Sequence, residues 1–411
     1  MACNKYNIIQ WNCRGLRTRR EEIELLIHKY SPVALCIQET KLSDNIQHKQ
    51  TFSNYSCYYT STENGSGGVG IIVKNSFLQR QISINTDLQA VAVSVTIDKK
   101  AYTLCSLYIP PSSYLDQSQL DDLKDQLPSP YIIMGDFNAH NPMWSSSYTN
   151  SKGTILQNFI VENDLILFNN KYPTHYDDYH QSSSLIDLTI CQPSVFLDFN
   201  CNVFENGHDS DHYPIQLIYN GEELPEKERL PRWNFKKADW KKFKNVCKDT
   251  LIDDLFTNSD VMEVYKNDKM RVFNENLLNV ASESIPLTST KITKKPKPWF
   301  DEECKTFIKK RNAAETKAKN HITEQNIYNS RMWRAKCRKT FKLKKRGSWR
   351  QFVSSINDKT PVKKVWDKIR KITGKNKGSK LHHIQDNNRD IITDKKEVAN
   401  ALGEQFEKCS S

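Results

Sequence analysis

The sequence feature that most constrains the fold is an apolar run that ends directly in a glycine and polar residues. Residues 131–134 are Tyr-Ile-Ile-Met, and Gly135, Asp136, Phe137 and Asn138 follow them. Such a run, bounded by glycine, predicts a core strand that ends at a carboxylate. Asp136 and Asn138 lie two residues apart, so an extended chain turns both side chains to one side. For an isolated Asp-x-Asn, an Asx turn is the more common explanation.

Other apolar stretches end in the same way. Residues 6–39 read as strand, helix and strand, which is the opening of a layered α/β fold. Because strand ends on one side of a sheet converge in a crevice, we expect the polar residues there to lie close together. These residues, at strand ends or in adjacent turns, are Asn12, Glu39, Tyr108, Asp136 with Asn138, Asp187, and Asp211 with His212.

A crevice of this composition favours a hard divalent cation. Carboxylates and amides supply the oxygen ligands that Mg²⁺ prefers, and one or two carboxylates suffice. His212 is then available for acid–base or electrostatic work, with Asp187 as a candidate to hold its ring. Taken singly, each residue has a plainer explanation: Tyr108 as a core residue, or Asp211 and His212 as a surface turn. Their order along the chain decides between these explanations, and only through a resemblance to a known family.

Charge divides the chain into two unlike halves. The whole chain carries 60 Lys and Arg against 48 Asp and Glu, a net charge of +12. Residues 1–220 are acidic overall, and the excess of positive charge lies in residues 221–411. We therefore expect the second half to bind a polyanion such as nucleic acid. A solvated basic helical surface that packs on a missing domain is an equally good interpretation.

Composition and the positions of prolines suggest three regions. We predict a globular domain over residues 1–220, a linker and helices over 221–298, and a basic, mostly helical region over 299–411. One long helix is predicted from Trp299 to about Lys345. The 11 cysteines form no C-x-x-C pair, so free thiols are expected. No apolar run reaches membrane-spanning length, and we expect an intracellular protein with no membrane partner.

The ordered motifs resemble the endonuclease/exonuclease/phosphatase superfamily, which includes exonuclease III. They include Trp11-Asn12, Gln38-Glu39, Gly135-Asp136-Phe137-Asn138 and Ser210-Asp211-His212. Residues 11–16 and 135–140 further resemble the endonuclease domain of non-LTR retrotransposon polyproteins of the jockey or I type. The basic second half resembles the segment that precedes the reverse transcriptase in those polyproteins.

This resemblance implies a four-layered α/β/β/α sandwich followed by a mostly α-helical basic region. It implies Mg²⁺-dependent nicking of DNA (Mn²⁺ being a possible substitute) that leaves a 3′-hydroxyl to prime reverse transcription. DNA is then the substrate, and RNA is a second candidate partner of the basic half. The implied place of action is the nucleus, with a cytoplasmic ribonucleoprotein as an earlier stage.

The resemblance also implies a role for each residue at the site. Asp136 would activate the attacking water and Asn138 would orient it. His212, oriented by Asp187, would stabilise the phosphate, and Tyr108 would hydrogen-bond the scissile phosphate or the leaving oxygen. The residues expected at the metal are Asn12, Glu39 and Asp211, and those expected to contact the substrate backbone are Thr174 and Ser184.

Two departures limit these implications. Pro110-Pro111-Ser112 follows Tyr108, where apurinic endonucleases tend to carry an asparagine, so we do not expect abasic-site repair. No aromatic-x-Asp-Asp motif of a reverse transcriptase is present, which suggests a fragment or a truncated copy. Two alternatives stay open: a phosphatase or phosphodiesterase of the same superfamily, and a catalytically decayed nucleic-acid-binding fragment.

Overall fold

The computed structural model of the chain describes most of the first 357 residues and a few later ones. The described residues are 6–47, 50–60, 62, 65–169, 172–177, 182–221, 231–256, 266–288, 297–321, 323–357, 360–363, 365, 366, 369, 384, 385, 391, 392, 397 and 400. Most of the linker predicted between the two halves, residues 222–230, lies outside them. No helix of the described part is both long and apolar enough to cross a bilayer.

The longer strands of the first half carry the alternating or continuous apolar patterns that the sequence predicts, and sixteen strands are present in the described residues. They are β1 (Asn7–Asn12), β2 (Ala34–Gln38), β3 (Tyr55–Thr60), β4 (Val69–Lys74), β5 (Gln79–Ile82), β6 (Gln89–Ile97), β7 (Lys100–Tyr108), β8 (Tyr131–Asp136), β9 (Ile166–Leu167), β10 (His175–Asp177), β11 (Ser182–Ser184), β12 (Asp187–Cys191), β13 (Phe199–Val203), β14 (Ile215–Tyr219), β15 (Ile384–Gln385) and β16 (Ile391–Ile392).

The helices divide between the first half of the chain and the basic half. They are α1 (Arg20–Tyr30), α2 (Asp44–Gln47), α3 (Gln117–Asp125), α4 (Ser151–Glu162), α5 (Pro193–Phe196), α6 (Trp240–Phe256), α7 (Lys266–Ser284), α8 (Glu302–Asn320) and α9 (Glu324–Ser354), with 3₁₀ turns at Pro142–Trp144 and Phe235–Lys237.

Two six-stranded sheets form the first half. Their strand orders are β13-β14-β1-β2-β4-β3 and β5-β6-β7-β8-β12-β9. An apolar core fills the space between the sheets, where Ile8 and Ile71 of one sheet join a cluster with Val93 and Leu104 of the other. Strands buried on both faces read as continuous apolar runs, which explains the pattern at residues 131–134.

Helices cover the outer face of each sheet. On the first sheet, Ile23 and Leu26 of α1 belong to a cluster with Leu35. On the second, α3 and α4 contribute Leu123 and Phe159 to another cluster. The expected four-layered α/β/β/α sandwich is therefore confirmed.

Strand register places the polar residues at one edge of this sandwich. The parallel pairs β1–β2 and β7–β8 end their strands side by side. In the antiparallel pair β8–β12, Asp187 lies directly opposite Asp136. Gly135 is needed at this edge, because a Cβ there would lie 1.9 Å from the carbonyl oxygen of Leu107. The polar ends of five strands thus share one crevice.

The basic half differs from its prediction at one point. The single helix expected from Trp299 to Lys345 is wrong, because α8 ends at Asn320 and α9 begins at Glu324. Thr323 caps α9 by accepting a hydrogen bond from the backbone N–H of Asn326 at 3.2 Å. A side-chain acceptor at this position stabilises a new helix start, and the chain turns back on itself here.

Backbone contacts divide the chain into two compact units. One consists of residues 1–223 together with 296–411, so α8 and α9 belong to the same unit as the sandwich. The other is residues 224–295, in which α6 and α7 pack on each other.

Candidate active site

Three residues from three different strand ends meet at the centre of the crevice. The side-chain amide of Asn12 donates to Oε1 of Glu39 at 3.1 Å and to Oδ2 of Asp136 at 2.8 Å. Asn12 and Asp136 are almost fully buried. Two carboxylates are therefore held together by one amide, at the edge where the strands stop.

A histidine–carboxylate pair stands beside this group. Nδ1 of His212 lies 2.8 Å from Oδ2 of Asp187, and its Nε2 lies 4.0 Å from Oδ2 of Asp136. The indole N–H of Trp11 donates to the backbone oxygen of His212 at 3.0 Å, and this bond holds the backbone of His212 in place. The predicted orientation of His212 by Asp187 is thus present in the geometry.

Burial and opposite charge set the electrostatics of these groups. Burial raises the pKa of Asp136, although the nearby imidazole of His212 counteracts this. Burial alone would lower the pKa of His212, but the carboxylates of Asp187, Asp136 and Asp211 raise it above its ordinary value. A buried carboxylate with a raised pKa is suited to accept a proton, and an imidazolium is suited to face a phosphate.

Tyr108 and Asn138 complete the wall of the crevice. Tyr108 ends β7, and burial together with the carboxylates of Glu39 and Asp136 raises the pKa of its phenol, so the hydroxyl keeps its proton. The Asn138 amide donates to the carbonyl of Ile109 at 3.0 Å. Asn138 and Glu39 both have left-handed backbones, with φ of 47° and 48°. Such conformations in residues other than glycine are often found at functional sites.

Asp211 lies at the rim with two cationic or potentially cationic neighbours. It pairs with the Arg14 guanidinium, and Nε2 of His175 lies 3.8 Å from its Oδ2. Although burial opposes the effect, these neighbours and His212 lower the pKa of Asp211. Sequence reasoning missed His175 and Arg14. The position of His175 next to Thr174 was the only available signal, and the backbone bridge between His175 and His212 reveals its place.

The two residues expected to contact the substrate, Thr174 and Ser184, lie against Asp187 and His175. Thr174 is fully buried, and its hydroxyl accepts from the backbone N–H of Asp187 at 3.2 Å. Ser184 holds His175, with Oγ 3.3 Å from Nδ1. Thr174 therefore helps to orient Asp187, and Ser184 helps to orient His175. Contact of either residue with the substrate stays a prediction.

The donor set at the centre fits a hard divalent cation. Ligand atoms of Glu39, Asp136 and His212 all lie within 4.8 Å of one another, and those of His175, Asp211 and His212 form a second such group. In the first group two of the three donors are carboxylates, which matches magnesium better than zinc. As placed, Asn12 joins the carboxylates through its N–H groups. Lys41 neutralises Glu39, with Nζ 3.0 Å from Oε2.

Comparison with known proteins gives matches that cover the first half of the chain. Residues 102–216 match a family model described as "Endonuclease-reverse transcriptase". The "Probable RNA-directed DNA polymerase from transposon X-element" of Drosophila melanogaster is 22% identical over 229 residues, which are 54% of this chain and 25% of that protein. The "RNA-directed DNA polymerase from mobile element jockey" of Drosophila funebris is 25% identical over 214 residues, 51% of this chain and 22% of that protein. The chain thus spans about a quarter of the length of these curated relatives.

Solved structures with a similar fold also match the first half. The "Endonuclease domain of TRAS1, a telomere-specific non-LTR retrotransposon" is 20% identical, with a TM-score of 0.46, and the match covers 53% of this chain and 99% of that one. An AP endonuclease from Archaeoglobus fulgidus is 17% identical, with a TM-score of 0.40, over 53% of this chain and 100% of that one.

Proposed function

Because the chain carries an endonuclease/exonuclease/phosphatase domain of the non-LTR retrotransposon type, we propose that it is a Mg²⁺-dependent endonuclease that nicks DNA. The observation that carries the proposal is the meeting of Asn12, Glu39 and Asp136 beside the His212–Asp187 pair. Two carboxylates, an amide and a charged imidazole can supply a general base and electrostatic stabilisation for phosphodiester hydrolysis.

The reaction is attack of water on the scissile phosphorus with loss of the 3′-oxygen. Asp136 accepts a proton from the water, because burial raises the basicity of its carboxylate. Asn138 orients that water. The bond between phosphorus and the 3′-oxygen breaks, the leaving oxygen takes up a proton from solvent, and Asp136 returns its proton to solvent, so the products are a 5′-phosphate and a 3′-hydroxyl.

Charge that develops on the phosphate is stabilised by the remaining groups. His212 faces it as an imidazolium, held in place by Asp187, and Tyr108 donates from its protonated hydroxyl. Glu39 would hold the divalent cation, with Asn12 and Asp211 near it. When bound, the cation supplies Lewis-acid stabilisation of the phosphate oxygens.

The product would serve reverse transcription. A 3′-hydroxyl at the nick is the primer that a polymerase can extend, as the resemblance to retrotransposon polyproteins implies. We propose that this occurs on nuclear DNA, and that the basic region binds RNA in a cytoplasmic ribonucleoprotein beforehand. The excess of Lys and Arg after residue 220 supports a polyanionic partner.

The sequence-based division into 1–220, 221–298 and 299–411 is retained as the proposed domain plan. In it the last region precedes a reverse transcriptase. The compact unit formed by residues 1–223 and 296–411 adds a structural link between the first and last of these regions.

Nicking of supercoiled plasmid tests the proposed activity. We expect open circles with Mg²⁺, none with EDTA, and none from His212→Ala. Polymerase extension from the nick without phosphatase treatment would identify the 3′-hydroxyl. The matched control is His321→Ala, which removes an exposed histidine between α8 and α9 and should nick as the unmodified chain does.

Other outcomes would favour the alternatives. Salt-sensitive DNA binding without nicking would indicate a decayed nucleic-acid-binding protein. Absence of both would direct attention to lipid or inositol phosphate substrates, which the same groups can hydrolyse.

A further inference from the structure

The two basic helices α8 and α9 pack against the sandwich as an antiparallel pair, which we name the basic hairpin (Glu302–Ser354). Ion pairs join this region to α1: Lys297 to Glu24 and Lys345 to Glu21, each at 2.9 Å. The Lys319 ammonium lies 4.7 Å from the ring centre of Tyr213, the residue that follows His212. The hairpin therefore contacts the edge of the sandwich next to the candidate active site.

A buried ion network forms the centre of this contact. Arg311 of α8 is only 1% exposed, and its Nη1 lies 2.6 Å from Oε1 of Glu22 on α1. The other carboxylate oxygen of Glu22 lies 3.2 Å from Nδ1 of His208. Arg311 also lies near Glu315, which pairs with Arg334 of α9 at 2.9 Å. One network thus joins α1, both helices of the hairpin and residue 208.

Residue 208 lies near the start of the segment that carries His212, which we name the His212 loop (residues 207–213). His208 and Asp209 have left-handed backbones, with φ of 51° and 71°. Consecutive left-handed residues other than glycine are strained and persist only where surrounding contacts hold them. Ser210 then bonds the backbone oxygen of Asn12 at 2.9 Å, and Asp211 and His212 follow.

Arginines from both sides hold Asp209. Arg19, the residue that precedes α1, donates to its backbone oxygen, with Nε at 3.1 Å and Nη2 at 2.9 Å. On the other side, Nε of Arg338 from α9 lies 3.2 Å from Oδ2 of Asp209. The Asp209 side chain is only 3% exposed, so it depends on these guanidinium groups for charge compensation.

We propose that the basic hairpin is a part of the nuclease itself, and that Arg338 and Arg311 are positioning residues that hold the strained His212 loop through Asp209, His208 and Glu22. The proposal rests on the proposed nuclease activity for its kinetic consequence. In this proposal the basic hairpin has a structural role in addition to its positive charge. Without the hairpin, one side of the loop that places Asp211 and His212 has no support.

The test uses the full chain with Arg338→Gln, which alters a half-exposed side chain and leaves the core intact. We expect kcat for plasmid nicking to fall about 10-fold, the lower end of the effect of removing a residue that orients catalytic ligands. KM for DNA should not change, and the melting temperature should fall less than in Arg311→Met, because Arg19 still lies 3.7 Å from Asp209 Oδ2. Arg338→Lys should recover part of kcat. The control is Lys339→Gln, which removes the same charge from the next, exposed position of α9 and should leave kcat unchanged.

A double variant separates positioning from direct DNA contact. If Arg338 acts through Asp209, Asp209→Asn combined with Arg338→Gln should lose no more kcat than the more damaging single variant. If Arg338 contacts DNA, its loss should raise KM, leave kcat intact and add to the effect of Asp209→Asn, and this outcome would overturn the proposal. An equal loss of kcat in Lys339→Gln would overturn it as well.

Hydrogen exchange provides a measurement that needs no nicking activity. Backbone amides of the His212 loop should exchange faster in Arg338→Gln than in the unmodified chain, and no faster in Lys339→Gln. Unchanged exchange in both variants would overturn the inference. If the unmodified chain does not nick but its loop exchange responds in this way, the proposed function fails while the positioning role stands.

Discussion

The buried pair of Glu22 and Arg311 allows a quantitative test of how firmly the basic hairpin joins the sandwich. Burial alone would raise the pKa of Glu22, but Arg311 and His208 lower it from 4.5 to about 2. A lowering of this size corresponds to about 3 kcal/mol of stability at neutral pH. Removal of one partner from a buried pair typically costs about 3–5 kcal/mol. The two arguments agree, and we expect Arg311→Met to cost about 3 kcal/mol.

The pH dependence follows from the sign of the shift. Because the folded pKa of Glu22 is lowered, its contribution is complete above the ordinary value of 4.5 and is lost as the pH falls toward 2. In Arg311→Met the unpaired carboxyl protonates more readily than in the unmodified chain. The stability difference between the two proteins should therefore be largest near pH 7, begin to shrink as the pH falls through the raised pKa of Glu22 in the variant, and continue to shrink toward pH 2.

Thermal and urea unfolding, followed by tryptophan fluorescence, would measure this difference. A loss of about 3 kcal/mol should lower the melting temperature by about 4 °C, because a unit made of residues 1–223 and 296–411 unfolds with an entropy of about 700 cal/mol/K. The control is Lys309→Met, which removes an exposed cation from the same helix. Glu22→Leu with Arg311→Met should recover most of the loss, since apolar replacement of a whole buried pair is often neutral. A loss below about 1 kcal/mol in Arg311→Met, or a double variant as unstable as the summed singles, would refute the reasoning.

Two further predictions concern the sandwich. Asp187→Asn removes the carboxylate 2.8 Å from Nδ1 of His212, so nicking should slow by about 10- to 100-fold with little change in melting temperature; an unchanged nicking rate would contradict the assigned role. Gly135→Ala places a methyl group 1.9 Å from the Leu107 carbonyl oxygen and should cost about 3 kcal/mol or more. The control is Gly347→Ala on α9, where the new methyl group meets no atom within 4 Å. This variant should stabilise the folded protein by about 0.5–1 kcal/mol. Equal effects of the two substitutions on urea unfolding would rule out the steric explanation.

Local patterns predicted a layered α/β fold with polar strand ends in one crevice, and the resemblance to a known family implied the four-layered sandwich. Asp136 follows an apolar run that can only be a core strand, and the resemblance to a known family placed Asn12, Glu39 and His212 beside it. The roles of these residues in chemistry stay predictions. The geometry adds that Asp187 faces Asp136 across paired strands, a consequence of register.

The features that sequence reasoning missed depend on contacts between distant segments. Arg311 lies among many Lys and Arg residues of a basic helix, and no local signal marks it as the one that is buried. His175 has no metal-like spacing to its neighbours and approaches His212 only through a strand bridge. The break between α8 and α9 was missed because helical periodicity continues on both sides of Thr323.

The distance along the chain between Glu22 and Arg311 has a consequence for synthesis. The two residues are separated by 289 positions, so a ribosome working at about 5–20 residues per second needs on the order of 15–60 s to supply the second after the first. During that interval the strands of the sandwich are available to pair, but Glu22 has no guanidinium from the basic hairpin. The nascent domain must therefore wait for a distant segment before the loop that carries His212 gains its last support.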